Sequence, residues 1–306
     1  MSLMGIFTNI ECFEINIFIS DTLNVKTLEL ISEDPIKRFK TKCGLNLNPE
    51  HTKADPFLFV HGERLFLFYE TDGYKLGRGV ITMVSTTDLH KWTKPRIVLQ
   101  EPFHLSYPFM FEKDGLVYMM PESGSGGQLR LYRATDNSLT QFELVKPLLD
   151  GRYLDSSLLL HDNKYFLFTS EEPEYRQYVL HLFQSDSFDG PYTEHPCSPI
   201  CFDTEFSRGG GGPIELDGKI CRVSQDCSNG YGDNVSFVSI DRISPTEYEE
   251  SIFCRNVFNR TCETFKGGGH HLTSVKYKGR YVIATDCKTT HRGLRNLFSF
   301  MRRIKK

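Results

Sequence analysis

The sequence predicts an all-β fold: a single five-bladed β-propeller over residues 1–306, with four antiparallel strands per blade. Three observations predict it. Five segments align on one another without a gap, their spacing is that of propeller blades, and their residues are those that strands and tight turns select. The segments are 54–70 (ADPFLFVHGERLFLFYE), 106–122 (SYPFMFEKDGLVYMMPE), 154–170 (LDSSLLLHDNKYFLFTS), 209–225 (GGGGPIELDGKICRVSQ) and 270–286 (HHLTSVKYKGRYVIATD).

Each segment reads as an apolar strand, a polar turn at one shared place (HGER, EKDG, HDNK, LDGK, KYKG) and a second strand of aromatic and β-branched residues. That pattern is a β-hairpin, taken as the inner half of a blade. Counted from the second residue of each segment, the period runs 52, 48, 55 and 61 residues. The stretches between hairpins supply outer strands: ITMVSTTDLHKW (81–92) starts as a strand and ends in a turn, and LYRATD (131–136) and LHLFQSD (180–186) echo it. The run EINIFIS (14–20) has the β-branched character to pair with the last blade and remove two exposed edges.

With 24 Phe and 14 Tyr against one Trp, and Gly, Asp and Asn between short apolar runs, the composition leaves little room for long helices. The formal charge of -3 lacks the basic excess that would neutralise a phosphate backbone, so nucleic acid is not an expected partner. No leader-like segment opens the chain and no apolar run is long enough to span a bilayer, so the expected location is cytoplasmic. The start Met1-Ser2-Leu3 has the look of a cloning remnant. Nine cysteines at irregular spacings match neither a disulfide framework nor paired zinc motifs, and are expected to be mostly buried thiols.

In a propeller the inner strands face a central funnel, and ligands sit at one mouth of it. The repeat places Asp55, Tyr107, Asp155, Gly210 and His271 in one column there, and Glu70, Glu122, Ser170, Gln225 and Asp286 in a second at the end of the next strand. Two carboxylates, a phenol and an imidazole at one structural position point to ligand chemistry, because buried charge is costly unless paired. The alternative is that each Asp caps a strand start.

Several motifs resemble a known family. ADPF at Asp55 and S-x-x-D-L-x-x-W over 85–92, with the fivefold repeat, are similar to the five-bladed propellers of the family 43 glycoside hydrolases. More closely, ADPFLF, EPFHLSYPFMFEKDG (101–115), PES (121–123), SQDCSNGYG (224–232) and GGHHL (268–272) resemble a bacterial and plant family over about residues 40–290. It includes the N-terminal domain of the plant glucosamine inositolphosphorylceramide transferases. The resemblance to the hydrolases implies that Asp55 is a general base and Asp155 a tuning carboxylate. The fourth-blade acid has no counterpart, since Gly210 stands in that column. Inverting hydrolysis needs a proton for the leaving oxygen. Either Glu122, Glu171 or Glu205 supplies it, with Glu122 the preferred catalytic candidate, or the donor carries a good leaving group such as phosphate.

The expected catalytic residues are therefore Asp55, Asp155 and Glu122, and the expected substrate-binding residues Tyr107, His104, Glu70, Arg208, Asp226 and His271. Arg208 beside flexible glycines suits a phosphate or a sugar carboxylate, unless the glycine run is only a tight inter-blade turn. No metal ligand set is assigned, because the histidines lack ligand spacing. The resemblance to the hydrolases implies a central water or a divalent cation near His271. Trp92 is expected on an outer strand, as core. The tail Arg292–Lys306 combines six basic residues with apolar ones, which fits either contact with an anionic membrane surface or packing on the propeller. The expected ligand is a carbohydrate or sugar phosphate, with a glycosyltransferase as a possible partner. Two functions stay open: a glycoside hydrolase-like or glycosyl-transferring enzyme of surface glycan or glycolipid synthesis, and a non-catalytic glycan-binding or scaffolding propeller.

Overall fold

Strands account for nearly all the regular structure of the computed structural model, which describes residues 8–24, 35–41, 50–73, 76–174 and 177–293. They fall into five groups of four. The first holds β3 (Glu50–His61), β4 (Arg64–Gly73), β5 (Val80–Thr86) and β6 (Arg96–Leu99); the second β7 (Ser106–Lys113), β8 (Leu116–Glu122), β9 (Gln128–Ala134) and β10 (Phe142–Asp150). The third holds β11 (Leu154–His161), β12 (Lys164–Glu174), β13 (Gln177–Ser185) and β14 (Thr193–Glu194); the fourth β15 (Arg208–Leu216), β16 (Lys219–Asp226), β17 (Asn234–Ile243) and β18 (Tyr248–Cys254). In the fifth, β19 (Leu272–Tyr277) and β20 (Arg280–Gly293) are completed by the N-terminal β1 (Thr8–Ser20) and by β2 (Lys37–Phe39). All pairings within the groups are antiparallel.

The pairing of β1 with β20 runs from Thr8↔Gly293 to Ser20↔Tyr281. Residues 14–18 of β1 are buried without a break, including Ile15, Asn16 and Ile17, as in a strand covered on both faces. A single parallel bridge, Phe13↔Thr52, joins the fifth group to the first, so these eight strands form one sheet while the other three sheets are separate. The inner strands β3, β7, β11, β15 and β19 each touch the next, and β19 touches β3. The core lies between groups, where second-strand residues such as Phe68 and Phe168 are buried; each buried Phe contributes roughly 1.5–3 kcal/mol.

At the start of β3, β7 and β11 the ladder shifts register, between Ala54 and Phe57, Ser106 and Phe109, and Leu154 and Ser157. The residue inside each bulge is left-handed: Asp55 (φ 51°), Tyr107 (φ 45°) and Asp155 (φ 46°). Non-glycine residues rarely adopt this conformation, and a bulge re-aims the side chain it carries. Neighbouring groups supply the missing partners, because Asp286 Oδ2 accepts from Asp55 N (3.3 Å) and Asp55 Oδ2 accepts from Tyr107 N (3.1 Å).

The glycine run 209–212 is neither flexible nor an inter-blade turn; it is part of strand β15. A Cβ on Gly209 would stand 2.5 Å from the Asp155 carbonyl oxygen, and one on Gly211 2.1 Å from that of Leu272. Glycine is needed because two neighbouring backbones press against β15 there. The 85–92 motif builds the turn after β5: Asp88 Oδ1 accepts from His90 N (2.9 Å) and Lys91 N (2.7 Å). Trp92 lies in that turn, not on a strand; it is half-buried and its ring meets Phe39 edge-on at 5.3 Å. Of the eight described cysteines only Cys12, Cys221, Cys227 and Cys287 are buried, so the expectation of mostly buried thiols is not met; Cys197 is exposed. The first three residues, Cys43 and most of the basic tail, 294–306, lie outside the described residues.

Candidate functional site

Where the first and last groups meet, the strand starts enclose a pocket of about 200 Å³. Five of the residues expected at a ligand site line it: Asp55, Glu70, His104, Glu122 and Arg208. Asp55 comes from the bulge of β3, Glu70 and Glu122 from the paired strands β4 and β8, opposite Ala54 and Ser106. His104 precedes β7 and Arg208 opens β15.

Asp55 is the most constrained of them. Besides the Tyr107 amide on Oδ2, its Oδ1 lies 3.3 Å from His270 Nε2 and 3.5 Å from His271 Nδ1. His270 Nδ1 stands 2.8 Å from Asp286 Oδ2, and both backbone amides of the His pair donate to Asp286 Oδ1, at 2.8 and 3.1 Å. Burial works against the charge on Asp55, yet the imidazoles of His270 and His271 beside it hold its carboxyl far below the usual range. Burial likewise opposes the His270 imidazolium, but Asp286 and Asp55 outweigh it and raise its pKa to about 10. An imidazolium thus lies between two carboxylates.

The two glutamates behave in the opposite way. Glu122 is raised well above its ordinary value by burial and by Asp155, with Arg208 opposing only in part. Its Oε2 is buried without a hydrogen-bond partner and stands 3.9 Å from Arg208 Nη2. Glu70 is also raised, by burial and then by Asp55, Asp72 and Glu122. His104 Nδ1 accepts from Gly79 N (3.0 Å), which leaves the ring proton on Nε2, 3.4 Å from Glu70 Oε1. Burial lowers the His104 pKa, so the shifts on His104 and Glu70 both favour the neutral forms of the facing pair. The pocket therefore holds one carboxyl whose ionised form is favoured and two whose protonated form is favoured.

Arg208 is held by Asp155, whose Oδ2 accepts from Nε at 2.5 Å, and its guanidinium lies 5.4 Å from the Tyr178 ring and 5.1 Å from that of Tyr231. Burial disfavours its charge, but Asp155, Tyr231 and Glu122 more than offset this. Asp155 is buried behind Arg208 and does not line the pocket.

Three other expected ligand residues also stand outside the lining. Tyr107 is buried, and its hydroxyl donates to Gly211 O (2.8 Å) and accepts from Gly211 N (3.0 Å), tying the second group to the fourth. His271 is packed edge-on against Phe57 (4.7 Å) and Tyr107 (5.1 Å) beneath the pocket floor. Asp226 Oδ1 accepts from Ser228 N (2.8 Å) and Oγ (2.6 Å), shaping the loop that carries Tyr231. Of the other proposed acids, Glu171 pairs with His181 at 3.3 Å and Glu205 with Arg255, both away from the lining.

The pocket also contains residues that sequence reasoning passed over. His270 takes the place expected for His271, and GGHHL offered no way to choose between adjacent histidines. Phe13, Tyr231 and His270 form an aromatic wall, with ring centroids 6.1, 4.4 and 5.1 Å apart. Tyr231 lay within SQDCSNGYG, whereas Phe13 enters only because β1 pairs with β20. For a cation, Asp55, His270 and Asp286 present ligand atoms within 4.8 Å of one another. His271 is not in that set. Ligation would require His270 to give up a ring proton, so a metal and the imidazolium are alternatives.

The strand groups and the pocket at their inner starts define an all-β propeller of the kind found in family 43 glycoside hydrolases. A family 43 hydrolase, BlXynB of Bacillus licheniformis, superposes with a TM-score of 0.51 at 16% identity, covering 72% of this chain and 44% of that one. A family 117 glycoside hydrolase of Zobellia galactanivorans gives 0.50 at 12%, covering 77% and 84%, and an exo-β-1,3-galactanase of Clostridium thermocellum gives 0.52 at 14%, covering 64% and 48%. The chain itself belongs to the family described as glucosamine inositolphosphorylceramide transferase 1, N-terminal, whose model matches residues 40–286. It is 38% identical over 208 residues to glucosamine inositolphosphorylceramide transferase 1 of Oryza sativa subsp. japonica, and 36% identical over 216 residues to that of Arabidopsis thaliana. These matches cover 66% and 69% of this chain but 28% of each relative.

Proposed function

We propose that the chain is a carbohydrate-active, five-bladed propeller that transfers or cleaves a glycosyl unit bound in the pocket between Asp55 and Glu122, in the synthesis of a glycolipid. One observation carries the reading: a single small pocket is lined by Asp55, whose ionised form is favoured, and by Glu122, whose protonated form is favoured. Two titratable groups driven apart in this way mark an acid and its counterpart. Glu122, with its pKa raised and a buried oxygen free of hydrogen bonds, is suited to protonate a departing glycosidic oxygen. Asp55 holds protons poorly, so its part is to stabilise positive charge developing on the sugar ring and to orient an acceptor hydroxyl, rather than to act as a strong base. Asp155 positions Arg208, and the aromatic wall offers a face for the apolar side of a sugar.

The name of the plant relatives supports glycosyl transfer to an inositolphosphorylceramide, and a glycosyltransferase is the partner we propose for chemistry that this chain does not carry out. Four strands in each of five groups, and inner strands that touch in sequence, support the ring of five blades.

The three contacts on Asp55 favour a second reading, in which the pocket binds a glycan without turning it over. The test is turnover and binding of aryl glycosides and nucleotide sugars by wild type, Asp55→Asn and Glu122→Gln, read by mass spectrometry and calorimetry. Turnover lost in Asp55→Asn on every donor, and in Glu122→Gln on donors whose leaving group needs a proton, with affinity retained in both variants, is the expected result. Sugar binding with no turnover in any form overturns the catalytic reading and leaves the second.

A further inference from the structure

At the opposite end of the first two groups lies a groove of about 710 Å³ that the central pocket does not use. It is reached along β3 from Asp55 to His61, six residues of strand or about 20 Å. Arg64, Lys94 and Arg96 line it over a floor that includes the buried Phe66 and Met83, and no carboxylate is among its described lining residues. Arg64 is aimed, since its Nη1 donates to Ser85 Oγ at 3.3 Å. Lys94 and Arg96 have no acidic partner among the described residues, and the fourth basic group, His61, pairs at 3.2 Å with Glu112.

In a chain of net charge -3, three cations converging on one concavity repel one another. Low-dielectric walls concentrate their field there and do not dissipate it. An anion relieves that repulsion, and a guanidinium fork with an ammonium beside it matches phosphate oxygens. The free Ser138 hydroxyl and the Asn137 amide at the rim add neutral donors for the hydroxyls that accompany a phosphate ester.

We propose that this groove is a second binding site, for a phosphate-bearing ligand, separate from the sugar pocket. Its phosphate is either that of a free ester or that of a phospholipid headgroup, and the experiment separates the two. Inorganic pyrophosphate is titrated into wild type and into Lys94→Ala/Arg96→Ala by calorimetry, and both proteins are sedimented with phosphatidylcholine vesicles with and without phosphatidylinositol. Wild type is expected to bind pyrophosphate, more weakly as salt is raised, and the double variant to lose about tenfold in affinity for each cation removed. Sedimentation that requires phosphatidylinositol and both cations assigns the headgroup; pyrophosphate binding without sedimentation assigns the free ester. An unchanged melting temperature shows that the exposed substitutions leave the fold intact. No pyrophosphate binding by wild type, or equal binding by the double variant, overturns the proposal.

Discussion

Asp55 and His270 face one another at 3.3 Å across the floor of the pocket, Oδ1 to Nε2, and the far nitrogen of the same ring stands 2.8 Å from Asp286. The carboxylates come from β3 and β20, so an imidazolium of the fifth group ties the first group to the last. The same ring that holds Asp55 ionised also helps to join the two ends of the strand series.

This arrangement sets a pH dependence. The folded-state pKa of His270 is raised from 6.5 to about 10, so its contribution to stability is complete below 6.5 and is lost as pH rises through about 10. The Asp55 contribution runs the other way: its depressed pKa gives stability that is present above its unfolded value and is lost only in strong acid. Urea unfolding across the alkaline window is expected to show falling stability for wild type. His270→Gln breaks the buried pairs at a cost of about 3–5 kcal/mol and flattens the profile there. A wild-type profile that is already flat would show that the imidazolium is not the stabilising form.

Tyr107 separates architecture from ligand contact. Its hydroxyl makes two hydrogen bonds to Gly211, and Tyr107→Phe leaves both buried Gly211 groups unsatisfied, costing about 1–3 kcal/mol. Sugar affinity at the pocket is expected to be unchanged when measured below the melting transition. A selective loss of affinity with normal stability would place the phenol in the site.

Gly211→Ala tests the close approach of β15 and β19. With φ at 153° and a Cβ that would stand 2.1 Å from Leu272 O, the strand has to move away from its neighbour. A loss of at least about 3 kcal/mol is expected from overpacking and strain together. Gly218→Ala, in the turn after β15, meets no atom within 4 Å and serves as the comparison for φ strain alone (φ 76°). Equal effects of the two substitutions would exclude the steric cause.

The hairpins were legible because strand alternation and turn residues are local signals. The ends of the aligned segments are partners in the ladder: Ala54 faces Glu70, Ser106 faces Glu122 and Leu154 faces Ser170. The same alignment brought Asp55, Glu70 and Glu122 to one pocket through β3, β4 and β8. It could not say which way a bulged side chain turns, and for that reason Tyr107 and Asp155 were grouped with Asp55 although all three share left-handed backbone. The choice of His270 over His271 depends on Asp286, sixteen residues away from His270. Phe13 depends on a strand from the far end of the chain. The β-branched run 14–20 did mark that strand for pairing with the last blade, but no local signal assigned Phe13, one residue before the run, to the pocket.

Arg208 and Asp155 form a buried pair whose members are not equivalent. Arg208→Ala takes the partner from buried Asp155, with an expected loss of about 3–5 kcal/mol, whereas replacing both by apolar residues of similar volume costs much less. Arg208→Lys keeps the charge but gives up the fork and the contacts with Tyr178 and Tyr231, so sugar affinity falls while stability largely survives. A double-mutant cycle with Asp155→Asn measures the coupling, and additive effects would mean that Asp155 does not hold Arg208 in place.

Glu122 carries the sharpest kinetic expectation. Burial and Asp155 raise the pKa of its carboxyl, so as a proton donor it works below that raised value, and turnover falls as pH climbs through it. Glu122→Gln removes the proton and is expected to lower turnover of a poor leaving group by about 10²–10⁴-fold, with the alkaline limb of the profile abolished. A donor whose leaving group departs without a proton, such as a nitrophenyl glycoside or a sugar phosphate, should lose far less. That contrast distinguishes a proton donor from a residue that only shapes the pocket, because a shape defect penalises both donors alike. Equal losses on the two donors, or an unchanged alkaline limb, would remove Glu122 from the chemistry and return the pocket to a binding role.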